Sequence, residues 1–216
     1  MLRAALLLCL TAQPAAPCET ALLLSIDVSG SIDAGEYRLQ TEGLAAALTN
    51  PEVAEALVGG QVALAVIQWS GVDEQALVLS WRRMLAPEDV TRFAARATAI
   101  PRSFTGSDTA VGQGLRFATA QFAAVPDCRN KVIDVSGDGQ ENAGFSDARA
   151  RREAIAAGLM INAIAIEEPG PAFPITTYYR NWIITPGGFV VTARGLQDYA
   201  ATLRQKLLRE LTRPIG

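Results

Sequence analysis

From residue 21 to residue 211, short unbroken apolar runs alternate with segments of helical periodicity. Ala21–Asp27 (ALLLSID) is too short and too apolar for a surface helix, which predicts a buried strand. Asp33–Thr49 places Leu39, Leu44 and Leu48 near one face, and Asp33 and Glu36 stand at capping-box spacing, predicting a helix that Asn50-Pro51 interrupts. Gln61–Trp69 and Gln75–Trp81 predict two strands, joined by the turn Ser70-Gly71-Val72-Asp73 into an antiparallel hairpin. Helices are predicted from Pro87 to Thr98, from Thr109 to Ala123 and from Ser146 to Gly158, with strands at Lys131–Ser136 and Leu159–Ile166. Residues 167–187 hold four prolines and an aromatic cluster and read as loop with at most a short helix. Phe189–Thr192 predicts a last strand, and Gly195–Leu211 a terminal helix with Leu196, Tyr199, Leu203 and Leu207 as its apolar face. Strands separated by helices predict a doubly wound α/β fold: a mostly parallel central sheet with one antiparallel edge strand and helices on both faces.

Composition changes this picture mainly at the N-terminus. Met1-Leu2-Arg3, an apolar run from Ala4 to Leu10, and the small, Pro-rich Thr11–Pro17 predict a secretory signal segment over residues 1–17. That run falls far short of the roughly 20 residues a membrane span needs, and no later segment reaches that length. Residues 18–216 then read as a single domain, periplasmic or secreted. Of the three cysteines, Cys9 would leave with the signal, so Cys18 and Cys128 remain, an even number in an oxidising compartment. Each immediately precedes a strand, and a disulfide between them is expected. The formal charge is −3 for 216 residues, or −4 without residues 1–17, which carries no electrostatic footprint for nucleic acid. Histidine is absent, which excludes a His general base, a Ser-His or Cys-His nucleophile and His-ligated zinc.

Three loops carry the remaining chemistry. Asp27-Val28-Ser29-Gly30-Ser31 follows the first strand, Gly106-Ser107-Asp108-Thr109 precedes a helix, and Ser136-Gly137-Asp138-Gly139 follows another buried strand. Ligands of open parallel sheets collect at the carboxyl ends of strands, near the point where strand order reverses. Two carboxylates (Asp27, Asp138) and three hydroxyls (Ser29, Ser31, Thr109) converging there describe an oxygen-only site for a hard divalent cation, Mg²⁺ or Mn²⁺ before Ca²⁺.

In these residues the chain closely resembles the von Willebrand factor type A (vWA) domain with its metal-ion-dependent adhesion site (MIDAS). The family's Asp-x-Ser-x-Ser motif matches Asp27, Ser29 and Ser31. Its loop threonine matches Thr109, with Leu115 further into the helix, and its late Asp-Gly matches Asp138-Gly139. The resemblance covers residues 20–212. Cys18-Glu19-Thr20, the segment Asp134–Gly139 and Tyr178-Tyr179-Arg180 are similar to those of a bacterial family of secreted vWA-like proteins of uncharacterised function. The resemblance implies that Ser29 and Ser31 bind the metal directly and that Asp27 anchors the site largely through water and the serine hydroxyls. It implies that Thr109 and Asp138 exchange direct and water-mediated coordination, and that one position stays free for an Asp or Glu carboxylate of a partner protein.

The implied function is a non-enzymatic, metal-dependent, adhesion-type protein-binding module. Two alternatives stay open: a secreted metal-dependent hydrolase, and a structural domain whose metal staples three loops. Asp33 reads as a helix cap and Asp108 as a turn or cap residue, Glu167 and Glu168 as a solvated rim, and Tyr178, Tyr179, Trp182 and Phe189 as core or cover for a sheet edge, with a partner-binding surface as the alternative. Asp134, inside the run Val132-Ile133-Asp134-Val135, needs buried partners. A register counted from the cysteines suggests Ser25 and Gln68, a polar cluster supporting the metal site. An ion pair with an arginine such as Arg38 is the alternative.

Overall fold

The structure, a computed structural model, describes residues 18–168 and 174–212. The signal segment predicted over residues 1–17 lies outside the described residues.

Six strands form one sheet: β1 (Thr20–Asp27), β2 (Ala63–Trp69), β3 (Gln75–Arg83), β4 (Asn130–Gly137), β5 (Met160–Glu167) and β6 (Val190–Arg194). Their spatial order is β3-β2-β1-β4-β5-β6, and every pairing is parallel except that of β3 with β2. The order reverses at β1, so the crevice between β1 and β4 is where this topology places a ligand. β1 and β2 are buried along their whole length, as strands covered on both faces must be. One face is covered by α1 (Ala34–Thr49), α2 (Pro51–Gly59), α3 (Pro87–Thr98) and α7 (Tyr199–Thr212), whose apolar side chains join Leu22, Leu24, Ile26, Leu64, Val66 and Val132. The other is covered by α4 (Val111–Gln121), α5 (Asp147–Ala156) and a short turn α6 (Ile175–Tyr178) that continues into a π-helical turn, Tyr179–Ile183.

Every strand and long helix read from the pattern is present, with ends shifted by a residue or two, except that the terminal helix starts at Tyr199 rather than Gly195, after a 3₁₀ turn at Leu196–Asp198. Asp33 caps α1: its carboxylate accepts from the backbone N–H of Gly35 and Glu36, and the Glu36 side chain accepts from Asp33 N–H. The helix α2 was not predicted. Asn50 ends α1 and at once caps α2, accepting from Glu52 and Val53 N–H with Pro51 as first helical residue, so the signal read as an interruption is also a start.

Cys18 and Cys128 form a disulfide that closes a sequence separation of 110 residues at the amino ends of β1 and β4. The strands run in that same offset, from Thr20 beside Asn130 to Ile26 beside Ser136. This register corrects the expected polar cluster. Asp134 pairs with Leu24, not Ser25, and paired residues share a face of the pleat, so the Ser25 side chain points to the opposite face. Asp134 instead meets Lys206 Nζ at 2.5 Å, and the same ammonium lies 2.5 Å from Glu210 on α7; all three are buried. Lys206, not Arg38, is the cation. Gln68 supports another loop: its amide donates to the Tyr37 hydroxyl (2.7 Å) and Pro101 carbonyl (3.3 Å), and its oxygen accepts from Ser103 N–H (2.7 Å).

Candidate metal centre

The first loop is shaped by what surrounds it. Where β1 ends, Val28 N–H still donates to the Trp69 carbonyl, and Ile32 N–H closes a turn onto Ser29 before the α1 cap begins. Arg102 donates to the Val28 and Ser29 carbonyls at 2.8–3.2 Å, holding the bend from outside. Gly30 allows the second loop to approach, since a Cβ there would lie 2.9 Å from Ser107 Cα.

Thr109 is fixed from two sides. Its N–H donates to Asn142 Oδ1 (2.8 Å) and its carbonyl accepts from Asn142 N–H (2.9 Å), tying the second loop to the third. Ser70, just beyond β2, accepts at its carbonyl from Ala110 N–H and donates through its hydroxyl to the Gly106 and Asp108 carbonyls. Glu141 accepts from Gly112, Ser146 and Asp147 N–H, joining the starts of α4 and α5 beneath the third loop. Arg102, Ser70, Asn142 and Glu141 were not found in the sequence. Ser70 lay in a segment read only as a hairpin turn, and a lone polar residue in a loop carries no periodic signal.

These supports bring the five predicted oxygen-bearing side chains together. Ser31 donates to Asp138 Oδ1 (2.7 Å), the Ser31 and Ser29 hydroxyl oxygens lie 3.5 Å apart, and Thr109 donates to Ser29 Oγ (3.2 Å). Asp27 Oδ1 accepts from Ser29 N–H (2.8 Å). Asp27, Ser29 and Thr109 form a buried floor, while Ser31 is exposed and Asp138 half-buried, so the cluster opens to solvent on one side. Asp27 Oδ2 is buried without a hydrogen-bond partner among the described residues. Burial, and then the nearby Asp138 carboxylate, push the Asp27 pKa up to about 7; burial also raises that of Asp138. A buried, under-partnered carboxylate facing a second acid and three hydroxyls is a donor set that fits a hard cation. Among the described residues no three His, Cys, Asp or Glu come together, so such a cation would draw most of its protein ligands from hydroxyls.

Most of the remaining residues fall where their simpler readings put them, and Trp182 does not. Asp33 is the α1 cap, and Glu167 accepts from Thr176 N–H. Tyr178 and Tyr179 are buried against the sheet, Phe189 is half-buried beside Lys206 and Arg209, and Trp182 is exposed. Ser25 Oγ is buried and has no hydrogen-bond partner among the described residues.

Solved structures of similar fold are vWA proteins. Proximal thread matrix protein 1 from the mussel byssus, in a structure with a zinc-occupied MIDAS motif, is 19% identical with a TM-score of 0.66, over 90% of this chain and 48% of its own. The pilus adhesin SpaC from Lactobacillus rhamnosus GG, in its open conformation, is 14% identical with a TM-score of 0.65, over 89% and 30%. A von Willebrand factor type A protein from Catenulispora acidiphila is 20% identical with a TM-score of 0.63, over 92% and 44%. The chain thus spans less than half the length of these three. No curated protein matches it in sequence. A family model described as "protein of unknown function (DUF1194)" matches residues 17–215. The chain therefore belongs to the DUF1194 family, and its fold is that of the von Willebrand factor type A domain.

Proposed function

We propose that the protein is an exported, non-enzymatic binding module that captures an acidic side chain of a partner protein through a divalent cation. The observation that carries this reading is the convergence of Asp27, Ser29, Ser31, Thr109 and Asp138 at the strand-order switch, with a buried floor and one open side. These five residues would hold Mg²⁺ or Mn²⁺, which when bound supplies an electrophilic position for a carboxylate. The chain's own part is preorganisation. Arg102, Ser70 and Asn142 hold the loops in place, so few side chains must be ordered on binding. Support for export comes from the Cys18–Cys128 disulfide and the apolar N-terminal run. Among the described residues no helix is long and apolar enough to cross a membrane. A hydrolase would want a general base beside the cation, and the chain has no histidine to supply one.

The test is capture from envelope extract with and without chelator, followed by affinity measurements on the captured protein. At saturating Mg²⁺, Thr109→Ala should weaken that affinity by tenfold or more, about 1.4 kcal/mol, while folding is unchanged. Equal affinities for wild type and variant would contradict carboxylate capture, and metal-dependent turnover of a substrate would replace it with the hydrolase.

A further inference from the structure

Two buried oxygens beside the cluster lack hydrogen-bond partners among the described residues: Asp27 Oδ2 and the Tyr179 hydroxyl. Buried phenol hydroxyls are ordinarily satisfied by protein or by ordered water. Both atoms border the same small space at the end of β4. A Cβ built on Gly137 would lie 2.5 Å from the Tyr179 hydroxyl, 2.8 Å from Asp27 Oδ2 and 3.0 Å from Asp27 Cβ. Gly137 does not have the positive φ that requires a glycine, so what its missing side chain provides is room. Both oxygens therefore pack against the same side of Gly137, next to one another, where any side chain would displace them.

We propose that Tyr179 is a positioning residue of the cation site, its buried hydroxyl turning to donate to Asp27 Oδ2 and hold that carboxylate when the cation binds. A phenol supplies one O–H donor and an ionised carboxylate only acceptors, so each of these two orphaned oxygens is a chemically matched partner for the other. The ring is placed by its neighbour. Tyr178 donates to Asp147 Oδ2 (2.9 Å) and accepts from Glu141 N–H (3.2 Å), fixing the turn at the third loop and at α5. Tyr179, the next residue, opens the π-helical turn and is fully buried, with its hydroxyl against Gly137 beside Asp27. In the sequence Tyr178-Tyr179-Arg180 carries a family resemblance and Tyr179 reads as core or cover for a sheet edge, and the metal-site motifs do not include it. Fixing the second Asp27 oxygen keeps the carboxylate in one orientation as the cluster fills.

This inference rests on the cation reading above, and the experiment separates the two. Mg²⁺ is titrated calorimetrically into metal-free wild type, Tyr179→Phe and Gly137→Ala, and the melting temperature of each metal-free protein is recorded. Outer residues that orient metal ligands typically change affinity by roughly 10–100-fold. Tyr179→Phe should therefore bind Mg²⁺ at least tenfold more weakly while its metal-free melting temperature is unchanged or higher. Gly137→Ala, which fills the same space, should weaken binding at least as much. A ring that only packs against the sheet predicts unchanged affinity in Tyr179→Phe, and that result would overturn the inference and leave the cation reading standing. A wild type that binds no Mg²⁺ would overturn both.

Discussion

Asp27 shows how one residue couples folding to function. It ends a buried strand, so its carboxylate is desolvated by the same packing that makes β1 a core element. Burial disfavours its charge, and a bound cation would restore it. Gly30 acts at the same scale. Its Cβ position conflicts with Ser107 backbone rather than with a flexible side-chain end, so Gly30→Ala should push the first and second loops apart. We expect that variant to fold and to bind Mg²⁺ at least tenfold more weakly, measured by calorimetry; unaltered binding would show that loop spacing is not what sets the site. The candidate ligands were legible from sequence because they sit at strand and helix junctions in recognisable spacing. Arg102, Ser70 and Asn142 were not, because each acts through a backbone group distant in sequence.

At the scale of elements, the pattern predicted strands and long helices because burial on both faces imposes apolar runs and helix periodicity imposes spaced leucines. It did not predict what Asp134 touches, since a one-residue change in strand register reverses the face a side chain occupies. Lys206 and Glu210 are one turn apart on α7 and resemble an ordinary exposed pair, yet both are buried against β4 and β5. The cluster has two carboxylates for one ammonium, so removing the ammonium should be costly. Lys206→Met should destabilise the domain by about 3–5 kcal/mol in urea unfolding at pH 8, as breaking a buried ion pair does. Burial first, and then the Glu210 charge, push the Asp134 pKa up to about 7. A raised folded-state pKa contributes stability that is fully present below the unfolded value near 4 and is lost as pH rises through about 7. Asp134→Asn removes that term. The melting temperature of Asp134→Asn relative to wild type, followed from pH 5 to pH 8, should therefore rise; a constant difference would mean Asp134 stays ionised throughout.

Across the whole molecule, the sheet order sets one end of β1 and β4 as the ligand crevice and the disulfide fixes the other end. The chain-entropy model gives a crosslink of this length up to roughly 4–5 kcal/mol, so reduction should lower the urea midpoint markedly, and the mature exported protein, without Cys9, should contain no free thiol by mass spectrometry. Detection of two free thiols would contradict that crosslink. The fold class was legible because strand–helix alternation leaves few topologies, and the disulfide because two cysteines each precede a strand. The central claim is that five oxygens from three loops hold a divalent cation. It is tested most directly by thermal melting of the metal-free protein at increasing Mg²⁺. A ligand bound only by the native state stabilises it by about 2.7 kcal/mol at a hundredfold excess over Kd. The account predicts a rising melting temperature in the wild type and none in Asp27→Ala or Asp138→Ala. A wild-type melting temperature that does not move up to millimolar Mg²⁺ or Mn²⁺ would contradict it.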